Sequence, residues 1–145
     1  MTTEEWNEIY PIVSTEQKNI AIAEMLGAEV ECCYHNTTSG YKMNQMVGDI
    51  MEKLRRYSNM PIGGNVRKAI ATEGLVFHSD ANWQFEACKF ITKTYDAAWK
   101  ITSKFCEIHN HNNGFDCRCE INCPENPLLD MFECLYQFSQ YIKQK

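Results

Sequence analysis

The sequence predicts an α/β chain of the α+β kind, with helices packed on one small central sheet, mixed or antiparallel. Three observations predict it. Apolar residues recur at spacings of three and four in some stretches and alternate with polar residues in others. The stretches follow the order helix, strand, helix, strand, helix, strand, strand, helix, and one central sheet is the most economical way to bury such helices. The last two strands flank an Asn-Gly turn, so the sheet is not wholly parallel. A chain of 145 residues matches one domain, 1–145; residues 36–74 stand out as an insert-like, variable region.

The first helix is expected over 16–26, with Ile20, Ala21, Ala23, Met25 and Leu26 on its apolar side. Ser14 or Thr15 caps its start and Gly27 its end. Ala28–Tyr34 alternates, which gives a strand burying Val30, Cys32 and Tyr34. Asn36-Thr37-Thr38-Ser39-Gly40 is turn chemistry. Met43, Met46, Val47, Ile50, Met51, Leu54 and Tyr57 then recur at helical spacing, interrupted by Gly48. A break at 59–65 follows. Gly74-Leu75-Val76-Phe77-His78 reads as a short strand. Ser79 or Asp80 caps the next helix, whose stripe is Trp83, Ala87, Phe90, Ile91, Tyr95 and Ala98. Its end falls between Lys93 and Thr102. Residues 104–109 and 115–121 alternate around Asn110-His111-Asn112-Asn113-Gly114 and form a hairpin. Asn126 caps the last helix, Pro127 opens it, and Leu128, Met131, Phe132, Leu135, Phe138 and Ile142 are its stripe.

Composition narrows the function. Fourteen basic residues against nineteen acidic give a net charge of −5. A general nucleic-acid coat or a basic membrane-surface segment needs a positive field instead. Seven Phe, seven Tyr and three Trp supply enough apolar surface for a folded core. The start Met1-Thr2-Thr3-Glu4-Glu5-Trp6 has no basic, apolar leader, and the longest apolar run, Ile20–Ala28, contains Glu24. The expectation is a cytoplasmic protein with no membrane segment. In that compartment the eight cysteines are expected as thiols.

Three stretches resemble the phage ABA-sandwich domain, a family of phages, prophages and gut bacteria. They are Asn19-Ile20-Ala21-Ile22-Ala23-Glu24-Met25-Leu26-Gly27, Leu75-Val76-Phe77-His78-Ser79-Asp80-Ala81-Asn82-Trp83, and Cys119-Glu120-Ile121 with the helix Asn126–Tyr141. Together they cover about half the chain, in the family's order. The resemblance implies a three-layer α/β/α sandwich, no established activity and no catalytic residues. Region 36–74 and the cysteine-rich hairpin depart from the family's common pattern.

Two constellations carry chemically versatile residues. His78, Ser79, Asp80 and Trp83 stand where a strand meets a helix. Exposed helix amides there could bind an anion, and Trp83 could stack on a ligand. Three adjacent residues cannot converge as a hydrolytic triad, so helix capping is the plainer role of Ser79 and Asp80. On the hairpin, His109, His111, Cys117 and Cys119, followed by Cys123, are zinc-ligand types. Yet Cys-x-Cys on a strand holds its sulfurs about 7 Å apart, and core packing is the plainer reading. His109-Asn110-His111 spells the letters of a nuclease motif, but that chemistry needs the three residues spread over a larger unit. Cys32-Cys33 point to opposite faces, and Cys88 and Cys134 fall in helical stripes. Lys53, Arg55 and Arg56 lie on a polar helix side, read as a solvated face. Met43, Met46, Met51 and Met60 suit core filling or an adaptable contact surface.

The expected function is therefore that of a non-enzymatic phage or prophage accessory protein, acting through a protein partner or self-association. The alternatives are a small-molecule, nucleotide-like binder at His78 and Trp83, and a zinc protein or hydrolase using the His/Cys hairpin. No cofactor is expected beyond that zinc.

Overall fold

The computed structural model describes residues 13–36, 41–57, 68–102, 104–110, 114–120 and 128–144. Helix α1, Thr15–Met25, begins where Ser14 Oγ accepts the Gln17 N–H at 3.1 Å. It stops at Gly27, whose φ of +94° suits a residue without Cβ. Strand β1, Glu29–Asn36, pairs antiparallel with β2, Tyr41–Val47, and β2 with β3, Ala69–Ala71. Helix α2, Asp49–Tyr57, lies between β2 and β3 in sequence. After a short 3-10 turn at Thr72–Gly74 comes α3, Ala81–Tyr95. Strands β4, Ala98–Ile101, β5, Phe105–Asn110, and β6, Phe115–Glu120, form a second antiparallel sheet in that order. Helix α4, Leu128–Lys143, lies against β5, β6 and α1.

The fold is thus of the α+β class, with four helices and two three-stranded antiparallel sheets among the described residues. The strands divide between two hydrogen-bonded sheets in place of the single expected one. They still share a core. Met46 and Ile70 from the first sheet join the same buried cluster as Cys106 and Ile108 from the second, with Ile22, Trp83 and Leu135 from the helices.

Four expectations change. The helix expected over 43–57 is a strand followed by a helix, divided at Gly48. A Cβ at Gly48 would lie 3.2 Å from Ala28 Cα, a tight contact, so glycine suits the close approach there. Met46 and Met51 both end fully buried, but one arrives there from a strand. The strand expected over 74–78 is a turn-rich segment. Ala98, expected on the third helix, belongs to β4; the helix itself ends at Tyr95, within the expected range, where Asp96 takes the left-handed conformation (φ 57°). On β1, Val30 is 40% exposed, because this strand is the outer edge of its sheet. The turn residues 37–40 and the break at 59–65 lie outside the described residues.

The closing hairpin matches its pattern. Asn110 pairs with Phe115 and Ile108 with Cys117. Cys106, Ile108 and Asn110 are buried while their β5 neighbours Phe105, Glu107 and His109 are half-buried. On α2, Arg55 Nη1 donates to the Ala69 carbonyl at 3.0 Å and Lys53 reaches Glu86 at 3.2 Å. The basic face is therefore partly structural. No helix among the described residues is long and apolar enough to cross a membrane.

Candidate functional site

At the start of α3, two buried amides organise the residues that the sequence singles out. Asn19 projects from α1 and is almost fully buried. Its Oδ1 accepts the Phe77 N–H at 2.8 Å, and its Nδ2 donates to the Thr15 carbonyl at 3.0 Å. That fixes the amide orientation, so the 3.0 Å contact to His78 Nδ1 is a bond donated by Asn19 and accepted by the imidazole. Gln84 Nε2 donates to the Phe77 and Leu128 carbonyls, both at 2.7 Å. The His78 ring also meets Phe132 edge-on, with centroids 5.8 Å apart.

The anion site expected here is filled by the protein itself. Asp80 Oδ1 accepts the N–H groups of Asn82 at 2.9 Å and Trp83 at 3.2 Å, the donors an anion would use. Ser79 is exposed, and its N–H donates to the Val76 carbonyl at 3.1 Å. Trp83 is fully buried and packs edge-on against Phe77 at 5.0 Å. It is a core residue with no face open for stacking. Sequence reasoning passed over Asn19 and Gln84. Their signal was a polar residue placed among the buried positions of a helix, where it must find partners.

The hairpin separates its candidates by strand alternation. His109 stands opposite Asp116 on one face, Ile108 opposite Cys117 on the other. His109 Nε2 lies 3.1 Å from Glu107 Oε2 and Nδ1 lies 2.9 Å from Asp116 Oδ1, so both ring nitrogens are engaged by carboxylates. Cys117 turns inward. Its sulfur is 3.6 Å from that of Cys134 and donates to Gln137 Oε1 at 3.1 Å; the Cys134 and Cys106 sulfurs are 3.7 Å apart. These buried thiols line the seam between α4 and the sheet. Cys88 is buried near them, and burial, reinforced by Cys106, pushes its thiol up to about 12. A thiol so shifted stays protonated and unreactive at neutral pH. His109 and Cys117 are therefore not brought together. His111, Cys123 and the Cys119 side chain lie outside the described residues, and among those described no group of three or more His, Cys, Asp or Glu is placed to hold a metal ion.

A different surface emerges at β4. The register sets Trp99 opposite Ile108 and Ile101 opposite Cys106, yet among the described residues β4 is an edge strand and Ile101 is 53% exposed. Phe85, from α3, is 49% exposed and meets the half-buried Trp99 at 5.9 Å. Lys89 Nζ sits 5.0 Å from the Phe85 ring and Lys100 Nζ 6.0 Å from that of Phe105. The Thr102 N–H donates to the Phe105 carbonyl at 2.8 Å. Antiparallel alternation from that bond makes Lys100 and Glu107 a hydrogen-bonded pair and turns the backbone groups of Trp99 and Ile101 outward. Apolar side chains, cations and outward backbone groups thus coincide. The sequence hid this surface by joining Ala98 to the preceding helical stripe.

Comparison with protein-family models, with curated proteins and with solved structures gives no match.

Proposed function

We propose that the protein is a binding module that docks a protein partner along the β4 edge, through Phe85, Trp99 and Ile101. The observation that carries this reading is the contrast in how side chains are used. His78, Asp80 and Trp83 are engaged in holding the fold, whereas Phe85 and Ile101 hold apolar surface in water beside outward-facing backbone groups. Among the described residues β4 has a strand on one side alone, and such an edge is a template for strand addition. The reading suits a small accessory protein of the kind implied by the resemblance to the phage ABA-sandwich domain.

The test is site-specific photo-crosslinking in the native host, with a benzophenone side chain at position 101 and, as control, at Glu24 on the exposed side of α1. A discrete protein adduct from position 101 alone is expected. Equal labelling at both positions, or none at position 101, overturns the proposal.

A further inference from the structure

The docking reading leaves the occupant unnamed, and the chain itself carries a segment that fits. Among the described residues, strand β1 is an edge of the first sheet. Its residues Glu29, Val30 and Glu31 are all exposed. They alternate acid, apolar, acid. On β4, Trp99, Lys100 and Ile101 alternate apolar, basic, apolar. Because strand side chains alternate between faces, antiparallel pairing satisfies both patterns in either of two registers. Val30 opposite Ile101 sets Glu31 opposite Lys100, and Val30 opposite Trp99 sets Glu29 opposite Lys100. In either case apolar meets apolar on one face and acid meets base on the other. Resting on the docking proposal above, we infer that the partner is a second copy of this chain, whose β1 edge adds to β4.

The two edges differ, so the contact is heterologous and each copy keeps one unused edge at either end. Association of this kind runs head to tail and does not stop at a dimer unless the rotation closes a ring. Opposite charges facing each other across strands stabilise the pairing and like charges oppose it. Screening by salt weakens it.

The experiment is sedimentation velocity over a concentration series, with two charge reversals. Lys100→Glu gives a copy acidic at both edges; the pair Glu29→Lys and Glu31→Lys gives a copy basic at both. These positions are exposed, and circular dichroism checks that each variant is folded. The wild type is expected to form dimers and larger species as concentration rises. Each variant alone should associate roughly tenfold more weakly. An equimolar mixture should recover wild-type association, because every β4–β1 contact between unlike copies is again complementary. A strictly monomeric wild type, or variants that associate unchanged, overturns the inference. A crosslink at position 101 to some other protein, with the purified chain monomeric, overturns it and leaves the docking proposal standing. Silence at position 101 removes the docking proposal itself.

Discussion

Two short, largely apolar segments settle their backbone hydrogen bonds by opposite means. The segment Leu75–His78 has no neighbouring strand among the described residues. At Phe77, Asn19 takes the N–H and Gln84 donates to the carbonyl, so two side-chain amides stand where ladder partners would, while the Val76 carbonyl accepts from the Ser79 and Asp80 N–H groups. Phe77 can then sink into the core, fully buried against Trp83. The segment Ala98–Ile101 pairs along its length with β5, and among the described residues no strand pairs with its other side. Ile101 remains more than half exposed. Side-chain partners close a segment off, because each amide serves one site. Strand pairing on one side leaves a second row of donors and acceptors, and so leaves an edge that can be extended.

Removing the side-chain partners should therefore produce the largest effect. Asn19→Ala strands the buried Phe77 N–H and deprives His78 Nδ1 of its donor. A loss of about 2–3 kcal/mol in unfolding free energy is expected, measured by urea denaturation. Loss below about 0.5 kcal/mol would mean that another group takes over the Phe77 N–H and that the amide is dispensable.

The same contrast explains what could be read from the chain. The stripes of α3 up to Tyr95 and of α4 were legible, as were a cap at Ser14 or Thr15, a cap at Ser79 or Asp80 and the alternation of β5, because period and capping are local properties; on α1 the expected stripe missed Ile22, which is fully buried, and took in Ile20 and Ala21, which are half-buried. The 41–57 region was not. Met43, Met46 and Val47 fit the helical spacing of the residues after Gly48, and it is the pairing of β2 with β1 and β3 that makes them a strand. Likewise, Leu75–Phe77 has strand composition, but the partner of the Phe77 N–H is the side chain of Asn19, fifty-eight positions away, and not a neighbouring strand. At the candidate sites, a cap at Ser79 or Asp80 and the inward turn of Cys117 were readable, and the structure gives the cap to Asp80. The pairing of His109 with Glu107 and Asp116 and the edge position of Ile101 required the assembled sheet. The resemblance to the phage ABA-sandwich domain remains a proposal about kinship, and the α+β class stands on the structure alone.

An intermediate effect is expected where a buried polar group is settled by charge. Glu86 follows Phe85 on α3 but turns inward and is only 3% exposed. It accepts from the Tyr57 hydroxyl at 2.7 Å and pairs with Lys89 at 2.9 Å and Lys53 at 3.2 Å, tying α3 to α2. Burial acts to raise the Glu86 carboxyl, but the bonds from Tyr57, Lys89 and Lys53 outweigh it and hold the carboxyl below its ordinary value of 4.5. A carboxylate depressed in the folded state stabilises fully above its unfolded pKa, and that stabilisation is lost as pH falls through the folded value. Glu86→Gln should therefore cost about 1–2 kcal/mol at neutral pH. The difference from wild type should shrink as pH drops below 4.5. Chemical denaturation at a series of pH values measures it; a difference that does not change with pH would show that the charge on Glu86 does not contribute.

The smallest expected change in stability is the one that sharpens the comparison most. Ile101 stands at the open edge, and Ile101→Ser removes apolar surface that water already reaches. Its unfolding free energy should move by no more than about 0.5 kcal/mol, since the β5 ladder is made by backbone and does not depend on this side chain. Association should fall nonetheless, because the apolar face offered to an incoming strand loses its most exposed member. A variant stable as wild type but weakened in association places the role of Ile101 between molecules. If instead Ile101→Ser unfolds readily and associates as before, the side chain belongs to the core, and the edge of β4 is closed much as the Phe77 segment is.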